Sequence, residues 1–292
     1  MRAHRITDSI AYHAEGPCWW EATGRLRFVD MLAGAVVELD EAAPGGHRRL
    51  PVGSAVASVI RPRVGGGAIV ATEHGISLSR REDLADLAPA ATLFADPAVR
   101  TNEGGCDPGG RFWIGTMPYA KTPGGATMYR WDGPGATPVR AWDGATICNG
   151  LGFSPDGGTA YWTDTPTGTV VTMDYRPDDA DRGGLTDPRP FVSIDPAAGH
   201  PDGLCVDADG GVWVALNGGA AVRRYAPDGA LDAVVELPVR QVTACTFGGD
   251  DYATLFITTS REDLPDDVEP AAGSIFAVAP GVRGLAPLPF GR

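Results

Sequence analysis

Short apolar runs, most of them opened by a glycine and bounded by turn residues, recur along the whole chain. Six runs open near positions 24, 66, 110, 158, 210 and 252, at successive spacings of about 42 to 52 residues. A period of this length is typical of a four-stranded β-propeller blade. Around Gly158 the stretches LGFS, TAYWTD and TVVTMDYR are separated by the turns PDGG and TPTG, which indicates successive strands. The sequence therefore predicts an all-β fold, a six-bladed β-propeller with four-stranded blades around a central channel.

No linker-like shift in composition interrupts the repeat, so residues 1–292 are expected to form a single propeller domain. The best helical candidate is EDLADLAPAATLF, which contains a proline and follows the strand-like ISLSR. An outer strand with a long connection is the alternative for this segment. Ring closure should pair the N-terminal residues with the last blade near AGSIFAV, because two open sheet edges would invite aggregation.

Four polar residues occupy the same place in successive repeat units. Each lies eight or nine residues before the glycine that opens the next apolar run, and they are Glu15, Asn102, Asn149 and Asp202. Repeats arranged radially would bring these side chains together around one axis. The sequence thus predicts one active site made of two carboxylates and two amides.

The composition supports many short strands and limits the partners. The chain of 292 residues has 40 Gly and 25 Pro, which suit tight turns. A net charge of −13 makes nucleic acid and anionic membrane surfaces poor partners, because repulsion would oppose the encounter. The N-terminus MRAHRITDSI has no apolar core of signal-peptide length, and no run reaches membrane-spanning length. A cytoplasmic protein is the expectation.

The cysteines predict neither a disulfide framework nor a thiolate zinc site. There are five of them, an odd number, and none forms a CxxC pair. Four lie within four residues of the polar clusters: Cys18, Cys106, Cys148 and Cys205. We interpret them as small buried hydrophobic residues that fill tight space beneath the inner strands.

Several motifs, kept in order over almost the whole chain, resemble the gluconolactonase/regucalcin (senescence marker protein, SGL) family. The motifs are AEGPCWW, NEGGCDPGGRFWIGTM, CNGLGFSPDGGTAYWTDT, PDGLCVDADGGVWVAL, TFGGDDYATLFITTS and the closing AGSIFAVAPGVRGLAPLPFGR. The resemblance implies a six-bladed propeller with one divalent cation near the axis. It also implies hydrolysis of lactones of sugars or related compounds.

The resemblance assigns roles to individual residues. The Glu of EGP, the Asn of NGL and the Asp of PDG match the family's metal ligands, here Glu15, Asn149 and Asp202. Arg100 and Asn102 match residues that hold the substrate hydroxyls or the carbonyl region. Oxygen donors of this kind suit Ca²⁺, the expected cation, with Mg²⁺, Mn²⁺ or Zn²⁺ as alternatives. Three protein ligands would leave coordination positions open for catalysis.

Two departures from the family fall in the expected substrate pocket. Where the family usually has N-D-G, this chain has Asn102-Glu103-Gly104, with one more methylene in the acid. We interpret Glu103 as a substrate-binding or supporting acid, with a solvent-facing position as the alternative. Some members carry an acid in the loop after GTM, where this chain has Tyr119 and Lys121. Lys121 otherwise shows no pattern beyond a solvated face.

The leading functional hypothesis is a metal-dependent lactonase that opens an aldonolactone or gluconolactone-like sugar lactone. Water would attack the ester carbonyl polarised by the cation, with Asp202 activating the water. Arg100 and Asn102 would orient the ring. The alternatives are a metal-dependent phosphotriesterase and a non-catalytic calcium- or sugar-binding propeller. The expected partner is a small-molecule lactone, and the expected assembly is a monomer or a weak homodimer.

The remaining conspicuous residues are interpreted as structural. Trp113, Trp162 and Trp213 share one repeat phase, which marks blade cores. Asp107 in the DPGG turn should organise the backbone of that turn. Arg224 shows no pattern beyond a solvated face.

Overall fold

A computed structural model describes residues 1–178, 181–265 and 267–291. Within these residues, 24 strands form six antiparallel sheets of four strands each. The sheets succeed one another around a central axis as the blades of a propeller. The predicted fold, an all-β six-bladed propeller with four-stranded blades, is confirmed.

Each of the first three blades is formed by consecutive strands, the innermost first. Blade 1 contains β2 (Ala14–Trp20), β3 (Arg25–Asp30), β4 (Ala35–Leu39) and β5 (His47–Pro51). Blade 2 contains β6 (Ala57–Pro62), β7 (Ala68–Thr72), β8 (Gly75–Ser79) and β9 (Ala88–Thr92). Blade 3 contains β10 (Val99–Cys106), β11 (Phe112–Pro118), β12 (Ala126–Trp131) and β13 (Val139–Ala145).

The next two blades follow the same order, and the last one differs. Blade 4 contains β14 (Cys148–Phe153), β15 (Thr159–Asp164), β16 (Thr169–Tyr175) and β17 (Leu185–Ser193). Blade 5 contains β18 (His200–Val206), β19 (Val212–Asn217), β20 (Ala221–Tyr225) and β21 (Leu231–Glu236). Blade 6 contains β22 (Val242–Gly248), β23 (Thr254–Thr259), β24 (Phe276–Val278) and, as its outermost strand, β1 (His4–Arg5).

The strand β1 closes the ring from the other end of the chain. His4 pairs with Ala277 and Arg5 pairs with Phe276. The last blade therefore combines three C-terminal strands with one N-terminal strand, which confirms the predicted closure. Pairing also covers the edge that β24 would otherwise expose.

The recurring apolar runs are the second strands of the blades. In blade 3, for example, every residue of β11 is buried. A strand covered on both faces is apolar continuously rather than at alternate positions. This burial explains why the runs were visible in the sequence.

The segment EDLADLAPAATLF contains an outer strand, so the helical prediction for it is wrong and the alternative is correct. Its second half forms β9, which pairs with β8 at the edge of blade 2. Pro89 lies opposite Ser77 in this pairing. An edge strand tolerates the missing N–H of proline, whereas a helix interior does not.

Short 3₁₀ helices are the only helices in the described ranges. Their bounds are Met31–Ala33, Pro44–Gly46, Thr165–Thr167, Asp181–Gly184 and Pro196–Ala198. None of the helices in these ranges has the length and apolar character that crossing a membrane requires.

A buried Asp–Trp pair joins the inner two strands in blades 3 and 5. Trp113 Nε1 donates to Asp107 Oδ2 over 2.9 Å, and Trp213 Nε1 donates to Asp207 Oδ2 over 2.8 Å. Both tryptophans are blade-core residues, as predicted. The solvated-face interpretation of Arg224 is wrong, because its Nε donates to Asp207 Oδ2 over 2.7 Å and anchors the same pair.

Candidate functional site

Four inner strands have a β-bulge at the predicted site residue. The bulges interrupt the pairing with the second strand between Glu15 and Cys18, Thr101 and Gly104, Cys148 and Leu151, and Pro201 and Leu204. A bulge removes residues from the ladder and changes the direction of their side chains. The residues at these bulges are the four selected by the repeat phase: Glu15, Asn102, Asn149 and Asp202.

The glycine after each of two site residues, Asn149 and Asp202, allows neighbouring inner strands to approach. A Cβ added at Gly150 would lie 2.8 Å from the carbonyl oxygen of Asp202 on the next blade. A Cβ added at Gly203 would lie 2.5 Å from the Cβ of Ala244, again on the next blade. The glycines of the NGL and PDG motifs therefore serve close packing around the channel.

The side chains meet at the base of a cavity of about 420 Å³ at one end of the channel. Five predicted residues line this cavity: Glu15, Arg100, Asn102, Asn149 and Asp202. All five are buried, and each is 5% exposed or less. The structure thus brings together the residues that repeat phase and family resemblance selected.

Hydrogen bonds connect the substrate-binding candidates to Asn149. Arg100 Nη1 donates to Asn102 Oδ1 over 2.7 Å. Asn102 Nδ2 in turn donates to Asn149 Oδ1 over 2.9 Å. This chain of hydrogen bonds fixes the orientation of both side-chain amides.

Two residues that sequence reasoning missed hold the other site groups. Asn149 Nδ2 donates to Thr165 Oγ1 over 2.6 Å, and this hydroxyl donates to the carbonyl of Pro201 over 2.8 Å. Asn217 Nδ2 donates to Asp202 Oδ2 over 3.0 Å. Thr165 directly follows β15, and Asn217 ends β19. A polar residue at the end of a second strand could therefore have predicted both supporting residues from the sequence.

His13 is a further missed residue, and it lines the cavity beside Glu15. Its Nε2 lies 4.0 Å from Glu15 Oε1, and its Nδ1 lies 2.7 Å from Ser260 Oγ. Glu262 Oε2 lies 3.4 Å from the same Nδ1. Burial, together with the charge of Arg100, lowers the pKa of His13 to about 3. The ring is therefore neutral at physiological pH.

The carboxyl groups of the site repel one another. Burial raises the pKa of Glu15, and the charges of Asp202 and Glu103 raise it further. Burial also raises the pKa of Asp202 to about 7 and that of Glu103 to about 8. Arg100 opposes the shifts of Glu15 and Asp202. This one guanidinium does not keep all three groups ionised at neutral pH.

Glu103 is buried and does not line the cavity, so its predicted solvent-facing alternative is wrong. Its side chain is buried with the cluster, and Oε2 has no hydrogen-bond partner among the described residues. Attraction to Arg61 partly offsets the rise in its pKa.

Arg61 of β6 lies beside the site and contacts neighbouring inner strands. Its guanidinium donates to the carbonyls of Ile60 over 2.7 Å, Gly104 over 3.1 Å and Gly16 over 3.2 Å. It therefore ties three inner strands together, next to the bulges of Glu15 and Asn102. Arg61 also lines a second cavity of about 400 Å³, whose lining includes residues that follow the site residues along the inner strands and part of the C-terminal segment.

The mouth of the first cavity carries the residues of the loop after GTM. Tyr119 and Lys121 both line it, together with His200. The Tyr119 hydroxyl donates to Glu73 Oε1 over 2.6 Å, and the Arg100 guanidinium lies 6.0 Å from the Tyr119 ring centre. Lys121 is exposed, as predicted, but its face is the cavity mouth.

The metal donors of the three predicted ligands are oxygen atoms. Among the described residues, no group of three or more His, Cys, Asp and Glu side chains is arranged to hold an ion. Any cation at the base of the cavity would thus need an amide as well as carboxylates. Glu15, Asn149 and Asp202 provide that combination.

Comparison with known proteins places the chain among propellers of one family. The family model of the SMP-30/gluconolactonase/LRE-like region matches residues 13–261. Regucalcin of Xenopus laevis is 32% identical over 290 residues, which cover 94% of each chain. The putative sugar lactone lactonase YvrE of Bacillus subtilis (strain 168) is 31% identical over 294 residues, which cover 99% of each chain.

Two solved structures extend the comparison. A calcium-binding protein, regucalcin from Agrobacterium tumefaciens strain C58, superimposes with a TM-score of 0.89 at 29% identity, covering 100% of this chain and 98% of its own. A gluconolactonase from Xanthomonas campestris superimposes with a TM-score of 0.72 at 25% identity, covering 94% and 89%.

Proposed function

The chain belongs to the SMP-30/gluconolactonase/LRE-like family, as its motifs indicated, and we propose that it hydrolyses a sugar lactone of the aldonolactone type. The main support is the base of the 420 Å³ cavity, where buried carboxylates, two amides and a guanidinium converge. Such a set can bind a hydroxylated ring and also carry charge and protons during ester cleavage.

We further propose that Glu15, Asn149 and Asp202 hold one divalent cation, with Ca²⁺ as the first candidate. The site fits a cation because Glu15 and Asp202 are buried without an ion pair to a Lys or Arg in the described residues, and burial raises the pKa of both. The Agrobacterium relative is described as calcium-binding. When bound, a divalent cation would supply Lewis-acid polarisation of the ester carbonyl.

Arg100 is suited to orient the lactone ring. Its hydrogen bonds within the described residues all use Nη1, which contacts the carbonyl of Thr101, Met31 Sδ and Asn102 Oδ1. Nε and Nη2 therefore have no protein acceptor there, although the side chain is buried and lines the cavity. Hydroxyl or ring oxygens of a substrate would satisfy these donors.

Asp202 is suited to accept the proton of the attacking water. Asn217 donates a hydrogen bond to Oδ2, so Oδ1 is the oxygen that would accept the proton. A carboxylate in this position can accept a proton from a water that lies beside it. Asn217 then acts as a positioning residue that prevents rotation of the carboxylate.

The test is acid release from a panel of aldonolactones. Metal-stripped protein would be compared with protein given Ca²⁺, Mg²⁺, Mn²⁺ or Zn²⁺, after subtraction of spontaneous hydrolysis. Asp202→Asn should reduce metal-dependent turnover by about 100-fold or more, which is the effect expected when a general base is lost. Asp228→Asn is the matched control, because Asp228 also stands in a Pro-Asp-Gly sequence but lies in an exposed turn.

Equal turnover in Asp202→Asn and wild type would remove Asp202 from the mechanism. Turnover by the metal-stripped protein would show that the reaction does not need the cation. A phosphotriester should also be in the panel, because four apolar side chains line the same cavity and could contact its ester groups: Leu32, Met117, Ile147 and Pro166. Metal binding with no turnover of either substrate class would favour a binding propeller.

A further inference from the structure

The second cavity, at the opposite end of the channel, is lined by four of the five cysteines. They are Cys18, Cys106, Cys205 and Cys245, which come from the inner strands of blades 1, 3, 5 and 6. The fifth, Cys148, is completely buried in an inner strand and does not line this cavity. The interpretation of the cysteines as small buried groups accounts for this packing, but it does not account for a contact between two of them.

Cys205 and Cys245 lie side by side on neighbouring blades. Their sulfur atoms are 3.6 Å apart, which is close to van der Waals contact. The strands that carry them, β18 and β22, approach closely just before the two cysteines, where a Cβ on Gly203 would lie 2.5 Å from the Cβ of Ala244. A disulfide needs a sulfur–sulfur distance of about 2 Å, so the two sulfur atoms, already 3.6 Å apart, have little further to approach.

The two thiols also differ in access. Cys205 is half-buried, whereas Cys245 is 4% exposed. Both thiols line the second cavity, and a small oxidant that enters it would meet the more exposed Cys205 more readily. This is the arrangement of an attacking thiol with a resolving thiol.

We propose that Cys205 and Cys245 are a modification site, a dithiol that a hydroperoxide converts to a disulfide linking blades 5 and 6. The Cys205 sulfur attacks one peroxide oxygen and breaks the O–O bond, which gives a sulfenic acid and releases water or an alcohol. The Cys245 sulfur then attacks the Cys205 sulfur, forms the S–S bond and expels water. The two sulfurs together lose two electrons, and the peroxide gains them.

Burial and the neighbouring thiol raise the pKa of Cys205, so its thiolate is scarce at neutral pH. The reaction should consequently accelerate as the pH rises from 7 to 9. A thiol reductant should reverse it.

The experiment uses the wild-type protein treated with hydrogen peroxide at pH 7 and pH 9. Free thiols would be alkylated in acid-quenched denaturant, and intact mass and peptide mapping would locate the products. We expect loss of two of the five thiols, a mass decrease of about 2 Da, and a crosslinked peptide pair containing Cys205 and Cys245. Reduction should restore all five thiols.

Two variants separate this site from general oxidation. Cys148→Ser should form the crosslink as the wild type does, whereas Cys245→Ser should trap the sulfenic acid of Cys205 as a dimedone adduct. A crosslink between Cys18 and Cys106 instead, or higher oxidation of Cys205 without a crosslink in the wild type, would overturn the proposal. The wild-type mapping decides the question even if a variant fails to fold.

Discussion

Replacing Asp202 with asparagine should stabilise the metal-free protein while it removes lactone hydrolysis. Burial raises the pKa of Asp202 from 3.8 to about 7. At pH 8 the folded protein therefore holds a carboxylate that is less well solvated than in the unfolded chain. An asparagine has no charge to bury, and its side-chain oxygen can still accept the hydrogen bond from Asn217.

The size of the effect follows from the shift in pKa. One unit corresponds to about 1.36 kcal/mol, so a shift of roughly 3 units sets an upper limit near 4 kcal/mol. We expect the free energy of unfolding to rise by about 2–4 kcal/mol at pH 8, and the Tm to rise by roughly 4–8 °C.

The size of this advantage changes with pH in a defined window. The folded protein binds the Asp202 proton more tightly than the unfolded chain, so wild-type stability falls as the pH rises from about 4 to about 7. Below this window Asp202 is neutral in both states, and the advantage of Asp202→Asn should disappear.

The assay is urea unfolding with a chelator present, at pH 8, 6 and 4.5. Asp207→Asn is the control, since Asp207 is equally buried in the same blade but accepts hydrogen bonds from Gly211 N, Trp213 Nε1 and Arg224 Nε. It should lower the free energy of unfolding at every pH. An Asp202→Asn variant less stable than wild type at pH 8, or a difference that does not change with pH, would refute the reasoning. Added Ca²⁺ should stabilise the wild type more than this variant.

Three further outcomes are expected. Arg61→Met should lower the free energy of unfolding in urea by about 2–4 kcal/mol, because three carbonyls lose a charged donor. Arg63→Met removes one such bond and should cost about 1 kcal/mol, and equal costs would contradict the role of Arg61 in joining the inner strands. Removal of residues 1–5 should lower the urea midpoint of unfolding and promote association, measured by light scattering, because it exposes the edge of the last blade. An unchanged midpoint would contradict the closing of the ring by β1. Thr165→Val should weaken Ca²⁺ binding, measured by calorimetry, by about 10–100-fold, because Asn149 loses the partner that orients its amide. An unchanged affinity would contradict the assignment of Asn149 as a ligand.

The fold was predictable because of where burial occurs in a blade. Second strands such as β11 are covered on both faces and therefore leave continuous apolar runs at a regular period. Outer strands leave a weaker signal. Four of the five residues of β9 are exposed, with Ala91 as the exception, and the segment before it is compatible with a helix. Its pairing with β8, which is a tertiary contact, decides the structure.

The site was predictable as far as it depends on repeat phase. The position of a residue within its unit fixes its height in the channel, and the unit fixes its angle around the axis, so Glu15, Asn102, Asn149 and Asp202 could be placed together. His13 and Arg61 could not be found in this way. Their roles depend on how far a side chain reaches across to another blade, as Arg61 does to the carbonyls of Gly16 and Gly104.

The departure from the family pattern at Glu103 shows how a residue selected from the sequence depends on one, Arg61, that could not be found in this way. The longer acid is buried outside the cavity lining, where burial and Asp202 both oppose its charge. Arg61 is the group whose attraction offsets this cost, and it does so without a salt bridge to Glu103 in the described residues. Arg61 and Glu103 therefore balance charge beneath the site. We expect the choice among lactones to depend on the side chains at the cavity mouth, with Tyr119 and Lys121 as the first positions to vary.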